Sequence, residues 1–299
     1  MRTSFGFLKF QKSLRKGLDA PATVAIFVGK GGNSPTMIEA IQKRRSVRTY
    51  MGKPLDDETL AQIKQYIRQL QAPFGIQARI ELLGIHSEEK RIKLGTYGWI
   101  QGAYDYLALV YEEAPFAETA AAYMFEQAVL FCTNLGLGTC WLGSSFSRND
   151  FKKHIQLGEN EKLRIVSPVG HASDKKNFIE KHIVKADKKH VSRKPFGELF
   201  FHKNFDNPLT ETQAGHFLTP LEMVRLAPSA NNKQEWRVLL ENNMLHFYKK
   251  PYPAFDTIDM GIALCHFELS CKELGIEGNF KILKDFYVRE PMEYVISWV

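Results

Sequence analysis

The chain has 299 residues, of which 44% are apolar and 24% charged, and its formal net charge is +7 at pH 7. This composition excludes a disordered chain, and the length accommodates one large domain or two smaller ones. The four cysteines contain no Cys-x-x-Cys pair, which argues against a disulfide scaffold or a zinc finger and favours buried thiols in a reducing cytoplasm. No apolar run approaches the roughly 20 residues that cross a bilayer, so no membrane span is expected.

The positive charge is concentrated in two segments, residues 1–45 and 175–194. A nucleic-acid-binding surface would need a basic face with a reading helix or with aromatic rings that stack on bases, and neither segment provides one. We therefore predict a solvated linker, one site of phosphate size and no nucleic-acid partner. A basic module that binds nucleic acid or anionic surfaces is the weakest of the alternatives.

Residues 1–36 differ in character from the rest of the chain. Apolar and basic residues alternate between Phe5 and Lys16, a pattern typical of a short amphipathic helix that can lie on a membrane surface. The lysines interrupt the apolar core that a secretory signal requires. We treat residues 1–36 as a separate amino-terminal extension, and a natural start at Met37 is an open alternative.

From Met37 onward the first half of the chain alternates helical and strand patterns. Asp56 is placed to cap a helix whose apolar residues Leu60, Ile63 and Ile67 recur at helical spacing. Gly136 ends a later, strongly apolar helix, because a left-handed residue is needed there. The predicted elements of this half are helices over 38–43, 56–70 and 123–135 and strands over 78–84 and 163–169.

The second half of the chain repeats the same proline and glycine boundaries of its helices. Pro54-Leu55 and Ala72-Pro73 bound the second helix of the first half, and Pro208-Leu209 and Ala227-Pro228 bound a helical region of nearly the same length. Strand patterns follow over 236–240 and 294–299, and a helical pattern lies between them over 258–274, with Gly275 as the helix stop. We predict an α+β protein with two similar halves, 37–200 and 201–299, that form a pseudo-dimer with mixed or antiparallel sheets flanked by helices.

Four segments carry residue types that bind ligands, although each segment is a weak signal by itself. Arginines at a helix end often only complement the helix dipole, and the glycine loop is not the G-x-G-x-x-G of a dinucleotide fold. Cys140 is best interpreted as a buried thiol, and the histidines show no metal-ligand spacing, so no metal is predicted. The four segments are Arg44 to Arg48, Leu135 to Ser145, Ser192 to Pro195 and Ala227 to Trp236.

In order and spacing, these segments together resemble those of the flavin-dependent nitroreductase family. Arg44 to Tyr50 matches the pattern R-R-S-x-R-x-[YF], and Ala227 to Trp236 matches A-P-S-x-x-N-x-Q-P-W except for Glu235 in place of proline. Gly136 to Gly143 resembles the family's helix end G-L-G-T with its glycine loop. The resemblance implies a nitroreductase-like α+β fold that dimerises and binds FMN at the interface.

The resemblance also implies roles for individual residues. It places the FMN phosphate and ribityl contacts at Arg44 to Arg48, a segment called the clamp from here on. It also implies a cation near flavin N1 and O2, a backbone amide near flavin N5, and further flavin contacts from the second half. Leu142 stands where relatives often carry an acidic residue. The residues assigned in this way are Arg44, Arg45, Ser46 and Arg193 for the phosphate and ribityl group, Arg48 for N1 and O2, Gly143 for N5, and Pro228, Ser229 and Asn232 from the second half.

One complete site is expected in each chain. Residues 72–77 of the first half correspond to the second-half loop that begins at Ala227, but they lack both serine and asparagine. Residues 202–205 of the second half correspond to the clamp, but they contain no arginine. We therefore expect one FMN per chain in a monomer that mimics a dimer.

The implied function is that of an FMN-dependent NAD(P)H oxidoreductase. Hydride would pass from NADH or NADPH to flavin N5, and the electrons would then reduce a nitroaromatic, a quinone or a similar small acceptor in a ping-pong cycle. No catalytic side chain is required, because the cofactor carries the chemistry. A flavin-binding protein without efficient turnover, acting in sensing or storage, is the alternative.

Overall fold

A computed structural model describes residues 35–84, 95–175, 192–252 and 254–299. The predictions for the extension up to residue 34 and for residues 176–191 of the basic linker lie outside these ranges. The helices of the described residues are α1 (Met37–Lys43), α2 (Asp57–Gln69), α3 (Ala117–Asn134), α4 (Arg148–Lys152), α5 (Phe196–Leu199), α6 (Glu211–Ala214), α7 (Leu218–Leu226) and α8 (Asp256–Glu273). Their strands are β1 (Ala78–Gly84), β2 (Asp105–Glu112), β3 (Gly138–Thr139), β4 (Glu161–Gly170), β5 (Phe200–His202), β6 (Trp236–Glu241), β7 (Met244–Lys249), β8 (Phe280–Lys281) and β9 (Glu293–Trp298). In the described ranges, no helix has the length and apolarity that a membrane crossing requires.

Side-chain caps fix where the early helices begin. The Thr36 hydroxyl accepts the Glu39 N–H at the start of α1, and the Asp56 carboxylate accepts the Thr59 N–H at the start of α2. Such caps satisfy amide groups that have no partner within the helix. The carboxylate of Glu273, at the end of α8, also accepts the N–H of Met37 at 2.8 Å, so the second half anchors the first helix of the first half.

The two sheets have the same order of strands. The first sheet is β1-β2-β4-β3, and the second is β6-β7-β9-β8 with β5 added at its β6 edge. All pairs are antiparallel except β5 with β6. A shift of register occurs after Leu109 where β2 pairs with β4, and another after Phe247 where β7 pairs with β9. The expected α+β class with antiparallel and mixed sheets is confirmed.

The long helices α3 and α8 end in the same way. Each has 18 residues, and Gly136 and Gly275 follow with φ of 74° and 68°. The N–H of Leu137 donates to the carbonyl of Cys132, and the N–H of Ile276 donates to that of Cys271. These are the bonds of a glycine-terminated helix, as the sequence predicts.

Helix α3 begins at Ala117, six residues before the predicted start at Tyr123. The added turns are rich in alanine, which has the highest helix propensity but adds little to an apolar stripe. They are buried because α3 packs lengthwise against α8. A single core that includes residues of both halves surrounds this helix pair.

The contact between α3 and α8 depends on Gly261. A Cβ atom built on Gly261 would lie 2.2 Å from the Thr119 carbonyl oxygen and 2.8 Å from the Ala122 Cβ. Neither the helix backbone nor a Cβ atom can move aside as a flexible side chain would, so only glycine permits this separation.

Gly261→Ala is therefore expected to destabilise the protein by about 1–3 kcal/mol, because the helices must separate. Helix propensity alone predicts the opposite sign, since alanine stabilises a helix by about 1 kcal/mol over glycine. Urea unfolding of the variant measures the effect. Gly158→Ala is the matched control, because its new Cβ would make contacts of 3.4 Å or more. A Gly261→Ala protein as stable as the control would contradict the close crossing.

Candidate functional site

The clamp segment leaves α1 and joins the edge of the first sheet. Ser46 forms a parallel bridge with Thr139, and the N–H of Val47 donates to the Thr139 carbonyl at 2.8 Å. The Val47 side chain would lie 2.7 Å from a Cβ on Gly138, so glycine is needed for this approach. The clamp and the glycine loop, 90 residues apart in the sequence, are therefore adjacent.

Arg44 is buried where the two halves meet. Helix α1 packs against α3 of its own half and against α7 and α8 of the other, and Arg44 is 5% exposed. Within the part of the chain that the structure describes, its Nε and Nη1 atoms have no hydrogen-bond partner. Burial lowers the pKa of the Arg44 guanidinium, while the carboxylate of Glu126 acts in the opposite direction. Buried donors without partners are rare in proteins, so such a group is a strong candidate for binding an anion.

The other basic residues of the clamp differ from Arg44. The exposed Arg45 guanidinium turns back and donates to the carbonyls of Gln42, at 2.6 Å, and Arg44, at 2.8 Å, at the end of α1. This geometry matches the alternative in which an arginine complements the helix end. Arg48 is half-buried and donates to the Ser46 carbonyl at 3.4 Å.

Arg193 connects the clamp to the loop that follows α7. Its Nη1 donates to Asn232 Oδ1 at 2.9 Å and its Nη2 to the Leu226 carbonyl at 3.1 Å, while its buried Nε atom has no hydrogen-bond partner among the described residues. Burial, together with the positive charges of Arg44, Arg45 and Arg225, lowers the pKa of Arg193 to about 10. Arg193 is therefore close enough to the arginines of the clamp to be repelled by them, as expected where an anion is to be bound.

The loop after α7 is built around Gln234. Its N–H donates to Ser229 Oγ at 2.9 Å, its side-chain oxygen accepts the Lys194 N–H at 2.9 Å, and its side-chain nitrogen donates to the Ser192 carbonyl at 3.3 Å. Asn232 and Gln234 both have φ near 50°, and Pro228 is buried. Ser229 and Asn232 thus use polar atoms within the loop and toward Arg193, so they shape the site as well as line it.

Asp259, in the first turn of α8, supports the same loop. Its carboxylate accepts the Ala230 N–H through both oxygens, at 3.0 and 3.1 Å. Burial, with smaller contributions from the negative charges of Asp256 and Glu235, raises the pKa of Asp259 to about 8, although the hydrogen bond from Ala230 acts in the opposite direction.

Gly143 lies where the halves meet at the far end of the glycine loop. Its Cα packs on the ring of Phe255, with a Cβ at this position only 2.2 Å from a ring carbon. Its carbonyl accepts a bond from Arg148 at 2.8 Å, and Arg164 lies over the Phe255 ring at 5.3 Å. A planar, partly cationic surface thus borders the residue that the sequence assigns to flavin N5.

The structure brings Arg193 to Asn232 of the second half and close to Arg44, and it places Gly143 against Phe255. The contacts given for Arg48 lie within the clamp, at Ser46. The sequence prediction missed Thr139, whose buried Oγ1 has no hydrogen-bond partner among the described residues, and Gln234, although both occur in the quoted motifs. It also missed Glu126, which carries no local motif and accepts the Trp141 Nε1–H of the glycine loop.

The model of a family described as "Putative TM nitroreductase" matches residues 36–271. The crystal structure of a protein described as a "putative nitroreductase" from Thermotoga maritima aligns over 92% of this chain and 98% of its own, with TM-score 0.57 and 19% identity. No curated protein matches the chain.

Two other solved structures align with about half of this chain. A nitroreductase family protein from Clostridium novyi aligns over 49% of this chain and 91% of its own, with TM-score 0.38 and 20% identity. A nitroreductase solved with FMN from Desulfovibrio desulfuricans aligns over 50% of this chain and 97% of its own, with TM-score 0.38 and 16% identity. Because the family model covers most of its length, the chain belongs to the nitroreductase family, a family of flavin-dependent oxidoreductases, as its sequence motifs indicate.

Proposed function

We propose that this protein is an FMN-dependent NAD(P)H oxidoreductase with one flavin site, assembled from both halves of the chain. The observation that carries the proposal is a group of buried polar atoms at the junction that have no hydrogen-bond partner in the described ranges: Arg44 Nε and Nη1, Arg193 Nε, and Thr139 Oγ1. Arginine donors in this number suit the oxygens of a phosphate group, and a threonine hydroxyl can bond either the phosphate or a sugar hydroxyl. The residues present therefore fit FMN.

The chain's own residues would bind and orient the cofactor. Arg44, Ser46, Thr139 and Arg193 would hold the phosphate and ribityl end, and Pro228 and the Ser229 loop would border it from the second half. Arg48 would stabilise negative charge at flavin N1 and O2, and Gly143 would present its amide toward N5. FMN, when bound, supplies two-electron transfer from NADH or NADPH to a nitroaromatic, a quinone or a similar small acceptor.

We further propose that the two halves arose by internal duplication and act as a pseudo-dimer in a monomeric protein. The shared strand order of the two sheets supports this, as do the matching ends of α3 and α8. Phe116 and Phe255 precede these two helices at equivalent positions.

The same comparison supports a single site. Phe74 occupies the first-half position that corresponds to Ser229, and its ring packs edge to face on Phe116, with ring centres 5.0 Å apart. An apolar ring thus stands where the other half has a hydroxyl. We propose a cytoplasmic location because all four cysteines are buried and form no Cys-x-x-Cys pair.

The experiment that tests this function is an absorbance spectrum of the purified protein before and after anaerobic addition of NADH or NADPH. We expect flavin bands that bleach when the donor is added. Bands that persist would favour the alternative of flavin sensing or storage. A colourless protein that takes up no added FMN and binds polyanions in a salt-dependent way would favour the basic binding module instead.

A further inference from the structure

The first turn of α1 is held by the ends of the two long helices. Glu273, the last residue of α8, accepts the N–H of Met37 at 2.8 Å and the N–H of Ile38 at 3.1 Å. Asn134, the last residue of α3, donates from its Nδ2 to the Pro35 carbonyl at 3.3 Å. The helix that leads into the clamp therefore begins at contacts from both halves of the chain.

The two residues that make these contacts occupy equivalent positions. Helices α3 and α8 each have 18 residues, and a leucine and a glycine follow Asn134 and Glu273 alike. The amide of Asn134 donates to the segment at the start of α1, whereas the carboxylate of Glu273 accepts from it. The two halves thus differ at the point where the clamp helix begins, as expected for a chain with one clamp.

A carboxylate at the end of α8 is unfavourable for α8 itself. The carboxyl end of a helix carries partial negative charge and prefers cations, and the preceding residue, Lys272, follows this preference. Glu273 is exposed, so burial does not account for it. The contact with α1 does, because the first N–H groups of a helix have no partner within the helix and carry partial positive charge.

Helix α1 connects these contacts to Arg44. It spans only Met37–Lys43, about 10 Å at 1.5 Å per residue, and the N–H of Arg44 donates to the Ala40 carbonyl at 2.8 Å where the helix ends. Ala40 and Ile41 bury its apolar face. Apolar contacts are non-directional, whereas hydrogen bonds have a fixed geometry. The polar contacts at the first turn therefore fix the helix along its axis, and with it the start of the clamp.

We propose that Glu273 is a positioning residue of the flavin site. By holding the first turn of α1, the second half of the chain sets the position of Arg44 and thereby the affinity for the flavin phosphate. This inference rests on the proposed function, in which Arg44 binds that phosphate. Its specific consequence is that loss of the Glu273 carboxylate weakens the binding of FMN but not of riboflavin, which lacks the phosphate group.

Glu273→Ala is the first test variant. Loss of a helix cap changes an equilibrium constant by a factor of about 2 to 30. Because the Glu273 side chain is exposed, the variant should fold. We expect the Kd for FMN to rise about three- to tenfold and the Kd for riboflavin to stay unchanged. Titration of the protein into each flavin, followed by flavin fluorescence, gives both constants. Glu273→Gln retains an acceptor oxygen and should restore most of the affinity for FMN.

A double variant shows whether Glu273 acts through Arg44. In a protein that already carries Arg44→Met, the change Glu273→Ala should leave the Kd for FMN unaltered, because the group that Glu273 positions is absent. A further loss of FMN affinity as large as in the wild-type background would show that Glu273 acts on the flavin by another route, and it would overturn the proposal.

Asp56→Ala is the matched control. Asp56 is also an exposed carboxylate that caps a helix, since it accepts the Thr59 N–H at 2.8 Å, but α2 does not lead into the clamp. This variant should lose a similar amount of stability to urea and keep the wild-type ratio of the two Kd values. An unchanged ratio in Glu273→Ala, an equal loss of both flavins, or the same change of ratio in Asp56→Ala would overturn the role of Glu273 while the flavin site stands. A wild-type protein that binds neither flavin would instead refute the proposed function.

Discussion

Arg44→Met is expected to weaken FMN binding by about a hundredfold or more. The variant removes two buried donors, and each hydrogen bond to a charged group contributes about 1.5–3 kcal/mol. Methionine retains the apolar stem, so the packing of α1 is preserved. Because the guanidinium is buried with unsatisfied atoms, its removal should leave the cofactor-free protein at least as stable as the wild type. Flavin content after purification and the Kd for added FMN measure the first effect, and the midpoint of urea unfolding measures the second.

Lys203→Met is the control for this variant. Lys203 is an exposed cation in the segment of the second half that corresponds to the clamp, and its replacement should leave flavin content unchanged. Normal flavin content in Arg44→Met would refute the assignment of the clamp. A loss of flavin in Lys203→Met would refute the single-site proposal.

Asp259→Asn is expected to change how stability depends on pH by about 3–5 kcal/mol between pH 4 and pH 8. In the native protein the pKa of Asp259 is raised from 3.8 to about 8. Between these values the folded state holds a proton that the unfolded chain has lost, so this group makes wild-type stability fall as pH rises. Asparagine keeps an oxygen for the Ala230 N–H and cannot ionise. The variant should therefore gain stability over the wild type progressively from pH 4 to pH 8, with a constant difference above.

Urea unfolding at closely spaced pH values measures this difference directly. Subtraction of the two proteins cancels the titration of the groups that they share. A difference that stays constant from pH 4 to pH 8 would contradict a neutral Asp259 in the native protein.

Much of the fold could be predicted from local patterns. The cap at Asp56, the helix stops at Gly136 and Gly275 and the strand over 78–84 all stand where the sequence predicts them, because caps, left-handed glycines and alternation act over a few residues. The predicted start of α3 was wrong by six residues. Its alanine-rich first turns owe their burial to α8, a partner about 140 residues away that no local window contains.

The candidate site shows the same difference between local and long-range features. The segments of the site could be located by their motifs, but the partners of each side chain could not. Arg44 and Arg45 are adjacent in sequence, yet one is buried with free donors and the other caps a helix. Only the packing of α1 on helices of both halves distinguishes them. Contacts between distant segments likewise bring Glu126 to Trp141 and Phe255 to Gly143.

The proposed flavin site is single and is built from both halves of one chain. Its most direct test is the stoichiometry of FMN, determined by titration of the apoprotein together with the mass of the protein in solution under the same conditions. The proposal predicts one FMN per chain in a monomeric protein. Two FMN per chain would contradict the single-site proposal, in which Phe74 stands at the position that corresponds to Ser229, and saturation only in a dimer would show that the site requires a second copy.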